Sequence, residues 1–162
     1  RSKGKELFYI TFDASALPDK KLLEDMSALE DIVMVGYPNG IWDNKNNKPI
    51  FRKGITATDV IFDYCGRKEF VIDAACFPGS SGSPVIIFNQ GMYTDKYGNT
   101  YAGASRIRLL GILYAGPQAI AQGEVHTVKI PTVDKNIAIS RIPNNLGYVI
   151  KAERILELEK LF

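Results

Sequence analysis

Three serines, two glycines and two prolines are crowded into DAACFPGSSGSPVIIF, Asp73–Phe88, between two apolar runs. A serine hydroxyl presented at a tight glycine corner can attack a carbonyl when a base stands beside it, and consecutive backbone N–H groups in such a corner can hold an anion. A plain flexible loop is the third possibility. A nucleophile elbow of the α/β-hydrolase kind needs glycine two residues to either side of its serine and a helix afterwards. With Ser81 as nucleophile, Ser83 stands at the second glycine position, and Pro84 with a β-rich run follows. A phosphate-binding loop needs a Lys-Ser or Lys-Thr pair leading into a helix, which is also missing. What remains is a strand, a glycine corner that presents Ser81, and another strand.

The rest of the chain must position that corner. ALPDKKLLEDMSALED predicts a short helix, with Pro18 in its first turn and Leu22, Met26 and Leu29 on one face. Short runs rich in valine, isoleucine and aromatics follow: DIVMVG, PIFRKGITATDVIF, EFVIDAA, SPVIIF and RIRLLGILYAG, separated by Gly, Asn, Asp and Pro. No helical pattern intervenes, so the expected class is all-β with an antiparallel barrel or sandwich. The polar stretch Asn89–Gly103 predicts an exposed hairpin, and WDNKNNKP a second polar link. AERILELEKLF places Ile155, Leu158 and Leu161 on one face and predicts a terminal helix packed on the sheet.

The 162 residues are enough for one domain with a real core, and 46% hydrophobic with 23% charged residues is a globular profile. The 20 basic and 18 acidic side chains are mixed along the chain, with no basic stripe for nucleic acid. No apolar run approaches the roughly 18 residues of a membrane span. No metal or cofactor pattern stands out. Two cysteines, Cys65 and Cys76, are few for a secreted domain and tilt the expected compartment toward the reducing cytoplasm. The chain opens on Arg1 without an initiator Met, so it reads as a piece of something longer.

IDAACFPGSSGSP resembles the serine segment of the chymotrypsin-like serine peptidases, most closely the bacterial trypsin-like and high-temperature-requirement proteases, whose pattern is of the TDAAxxPGxSGGP type. The match runs from Asp73 to Pro84, except that Ser83 stands where a second glycine is usual. VMVGYPNG and RKGITATD resemble the opening strands of that family's second barrel, LLGILYAG its substrate-binding strand, and NLGYVIKAERILELEKLF its closing strand and helix. The resemblance implies a chymotrypsin-like antiparallel β-barrel, the C-terminal barrel of the two-barrel fold, over residues 32–162, with residues 1–31 as a connecting segment carrying a short helix. It implies a serine endopeptidase in which Ser81 is the nucleophile and the N–H groups of Gly79 and Ser81 bind the oxyanion. By the same resemblance Ala75 lies at the base of the primary specificity pocket, so a small or apolar residue is expected before the scissile bond. Cys76 lies on the pocket wall or in the core, and Tyr114, Ala115 and Gly116 bind an extended polypeptide as an added strand. Gly147 and Tyr148 form the far wall, with Tyr148 equally readable as a core aromatic.

In that family the base and its aspartate precede the serine. The single histidine, His126, follows it, and Asp13 lacks the strand pattern expected after the aspartate. The chain therefore reads as a barrel whose His and Asp sit on an absent N-terminal barrel, inactive by itself. Two other readings stand beside it: a protease-like module that binds peptides without cutting them, and a glycine corner in a structural or capsid-like β domain.

Overall fold

Six strands close on themselves in the computed structural model, which describes residues 11–122 and 139–158. They are β1 (Asp31–Gly36), β2 (Ile50–Thr56), β3 (Glu69–Asp73), β4 (Pro84–Asn89), β7 (Arg106–Ala115) and β10 (Leu146–Lys151). Their order around the barrel is β1-β2-β3-β10-β7-β4, every pair antiparallel. The expected antiparallel barrel is thus present, with six strands.

Period-two alternation explains the closure. In β1, Ile32 and Met34 point inward and are fully buried, while Val33 and Val35 are half-buried outside; in β4, Val85 and Ile87 alternate likewise. Phe70, Ile72, Leu110, Leu113 and Val149 complete the core. Register shifts at Val85/Ile86 in β4 and at Tyr148/Val149 in β10, both against β7, bend the sheet, as barrel closure requires.

Helix α1 (Lys20–Asp25) is capped by Asp19, whose carboxylate accepts from the Leu22 amide at 2.7 Å. Leu22 and Leu23 pack against the barrel core, and Met26 is part of it. Leu29, expected on the same face, is 65% exposed. The helix stops at Asp25 because a polar turn takes over. Glu30 Oε1 accepts from the Ser27 amide, and the Thr56 hydroxyl donates to Ala28 O while accepting from the Glu30 amide. Residues of the expected connecting segment therefore share the barrel's core.

The expected exposed hairpin is β5 (Met92–Thr94) with β6 (Thr100–Ala102). Its tip is closed around Asp95, whose carboxylate accepts from the Tyr97 and Asn99 amides, Asn99 Nδ2 and the Tyr101 hydroxyl. These hydrogen bonds, chiefly that from the Asn99 side chain, hold the Asp95 pKa below its ordinary value. The hairpin's base is fixed by a buried ion pair: Arg106 Nη2 lies 2.7 Å from Glu30 Oε2, Arg106 Nε donates to Asn89, and the guanidinium stacks on Tyr93.

A second two-stranded arm, β8 (Gln118–Gln122) with β9 (Ile139–Pro143), leaves the barrel between β7 and β10 and has no counterpart among the sequence expectations. His126 and Leu161 lie outside the described residues. At the C-terminal side a 3-10 turn at Ala152–Arg154 runs into α2 (Ile155–Leu158). The expected terminal helix is present, but Ile155 and Leu158 are exposed rather than packed on the sheet. Ala152 is buried instead, and Lys68 pairs with Glu153 and Glu157.

Candidate active site

The loop between β3 and β4 makes two consecutive tight turns. The Ser80 amide donates to Phe77 O at 3.0 Å, and the Ser83 amide donates to Ser80 O at 3.1 Å. Gly79 (φ +83°) and Gly82 (φ +88°) hold the third positions, where a type II turn demands positive φ. Pro78 and Ser81 hold the second positions. Ser81 is therefore thrust out at the corner of the second turn, exposed, while Ser80 beside it is buried.

Neighbouring strands pin this corner. The Gly82 amide donates to Leu113 O at 2.7 Å, the Leu113 amide to Ser83 O at 2.9 Å, and the Asn39 amide to Pro78 O at 2.7 Å. Ser83, standing where the resembled pattern has glycine, is accommodated because Gly36 leaves room: a Cβ on Gly36 would fall 2.0 Å from Ser83 Oγ. Among the described residues the amides of Ser80, Gly82 and Ser83 find acceptors, whereas those of Gly79 and Ser81 donate to no protein group. Two unpaired amides flanking an exposed hydroxyl are what an anionic acceptor formed at that hydroxyl would use.

Ser81 opens onto a cleft of about 270 Å³ lined by Cys76, Phe77, Pro78, Leu113, Ala115, Gly116, Pro117, Gln118 and Pro143. The last two are the paired first and last residues of the β8–β9 arm. The Ser81 hydroxyl donates to Tyr114 O at 3.0 Å. Among the described residues no imidazole or carboxylate bonds to it. Asp13, set aside in the sequence for lacking the strand pattern, caps a 3-10 turn at Ala14–Ala16 through Ser15.

The residues singled out in the sequence divide into three groups. Gly79, Ser81, Cys76, Tyr114, Ala115 and Gly116 meet at the corner and cleft. Gly147 stands behind the wall, where a Cβ would fall 2.6 Å from Cys76 Sγ and Leu113 Cδ1. Ala75 and Tyr148 are not among the residues lining this cleft: Ala75 gives its carbonyl to Arg52, and the Tyr148 ring packs against Tyr64 and Tyr114 at centroid distances of 6.0 and 6.4 Å. Burial pushes the Cys76 thiol pKa up, against the opposing pull of Arg52, so the cleft's thiol stays protonated at neutral pH. Both cysteines are free. The Tyr114 phenol donates to Glu69 at 3.0 Å, and its pKa is raised, first by desolvation.

Arg52 was not foreseen. It lies behind the loop, Nη1 donating to Ala75 O and Nη2 to Ser80 Oγ at 2.7 Å. The only sequence signal for it is a charge set among the apolar residues of PIFRKGI.

No family model, no curated protein and no solved structure matches this chain.

Proposed function

We propose that this chain is the nucleophile-bearing barrel of a trypsin-like serine endopeptidase. The carrying observation is the exposed Ser81 hydroxyl, flanked by the unpaired Gly79 and Ser81 amides, at the mouth of a cleft beside strand β7. In this reading Ser81 attacks the scissile carbonyl and the two amides receive the oxygen as it gains charge. Tyr114–Gly116 pair with an extended polypeptide. The cleft takes the side chain before the scissile bond, and its walls of Cys76, Leu113 and Ala115 suit a small or apolar one. The base and its acidic partner come from another barrel of the same protein, since His126 follows Ser81 and the family order puts both earlier.

The test is labelling of the complete gene product with a peptidyl phosphonate. Mass spectrometry of the peptide containing Asp73–Phe88 should find the adduct on Ser81, with Ser80 and Ser83 unmodified, and Ser81→Ala should abolish both labelling and turnover. An adduct elsewhere, or none, removes the peptidase reading. One observation favours a second reading, a peptide-binding module without hydrolysis: the Ser81 hydroxyl is engaged as a donor to Tyr114 O. Binding of extended peptides by the complete protein, with Ser81 never labelled, would select it.

A further inference from the structure

We infer that Arg52 is a positioning residue that clamps the serine corner from inside the barrel. The clamp is a matter of geometry; its catalytic consequence rests on the peptidase reading.

Arg52 pairs across the strands with Met34, whose side chain is fully buried, and directly opposed residues of an antiparallel pair share a face. The guanidinium therefore lies on the inward side of β2, where an apolar residue would cost less to bury. Among the described residues no carboxylate pairs with it, and its Nε is buried without a partner. Its other two nitrogens go to one loop: Nη1 to the carbonyl of Ala75, and Nη2 to the hydroxyl of Ser80. Ser80 is only 1% exposed, so water is a poor substitute for that donor.

Ser80 is the hinge of the corner. It is the last residue of the first turn and the first residue of the second, and its chain neighbours are Gly79 and Ser81. Fixing the Ser80 side chain fixes how the two turns meet, and with it the relative direction of the Gly79 and Ser81 amides. The Ala75 contact anchors the same loop five residues earlier, so the loop cannot slide along the guanidinium. A planar fork reaches both points in one plane, which the single ammonium of lysine does not.

The experiment uses Arg52→Gln, Arg52→Lys and Ser80→Ala in the whole chain, with amide NMR and thermal melting. The expected result is an intact barrel in which the order parameters of Gly79, Ser80 and Ser81 fall from about 0.85 toward 0.6 in both Arg52 variants. Ser80→Ala should loosen the same three amides while leaving Ala75 and Cys76 unchanged. Unaltered amides at residues 79–81 in folded Arg52→Gln would overturn the clamp. If that variant does not fold, unaltered amides in Ser80→Ala overturn it. In the complete protein, phosphonate labelling of Ser81 should slow about 100-fold in Arg52→Gln, with non-covalent affinity for the same phosphonate unchanged, as expected for misplaced rather than missing groups. Equal labelling rates in wild type and Arg52→Gln would overturn the catalytic consequence. Absence of labelling in the wild type counts against the peptidase reading alone, because the NMR measurement judges the clamp without it.

Discussion

Replacing each turn glycine of the serine corner by alanine separates backbone strain from crowding. Gly79 and Gly82 have nearly the same φ, +83° and +88°. A Cβ at Gly82 meets nothing within 4 Å, whereas one at Gly79 sits 3.1 Å from Tyr37 O and 3.2 Å from Asn39 N. The left-handed conformation costs an L-residue about 1–2 kcal/mol. Alanine also narrows the unfolded ensemble, which returns about 0.4–1 kcal/mol. Both effects are common to the two variants, so Gly82→Ala should lose about 0.5–1 kcal/mol net. Gly79→Ala must in addition push back the backbone between β1 and β2, adding about 1 kcal/mol, the low end of overpacking costs. A total near 2 kcal/mol lowers the midpoint by about 4–8 °C for a chain of this size. Urea unfolding of the two variants, followed by fluorescence and far-UV circular dichroism, reads the difference. Equal destabilisation would refute the claim that Gly79 is packed against the β1–β2 connection, and greater damage at Gly82 would reverse the argument.

Two further outcomes are expected. Iodoacetamide at pH 8 should alkylate exposed Cys65 while Cys76, 8% exposed and with its pKa raised by burial, is spared until urea is added; mass spectrometry after a timed quench checks the order. Glu30→Gln or Arg106→Leu, each leaving one buried charge unpaired, should cost about 3–5 kcal/mol in chemical unfolding, and the double variant less than the sum of the two.

The barrel was legible because each strand carries its own alternation and is bounded by turn residues, as DIVMVG shows with Ile32 and Met34 inward. The Ser81 corner was legible for a related reason: PGS and SGS each place glycine at the third position of a turn. Arg52 was hidden because β2 mixes apolar and polar residues on both faces, with Ile50, Arg52 and Thr56 on one and Phe51, Lys53 and Ile55 on the other. Phe51 and Ile55 point outward and are exposed, so PIFRKGI does not reveal which side is the interior. Leu29 misled because helical spacing continues past Asp25, while the Glu30 and Thr56 side chains capture the backbone there. At Ala75 the loop turns the carbonyl to Arg52, while the neighbouring Cys76 lines the cleft, a difference the sequence pattern does not encode. The β8–β9 arm is held by pairing between residues about twenty apart, which local pattern does not encode.

The place of β10 has a consequence for the order in which the molecule can be made. Leu146–Lys151 slots between β3 and β7, two strands completed more than thirty residues earlier. Until that segment leaves the ribosome, β3 and β7 each present a row of unsatisfied backbone groups, and the Cys76 wall lacks Gly147 behind it. The nascent chain thus holds every residue of the serine corner well before it holds a closed barrel to support them. For that interval, open strand edges make the chain prone to pairing with its neighbours, and non-local closure makes the remaining step slow. A chaperone that shields strand edges during synthesis would raise the yield of folded protein more than one acting after release.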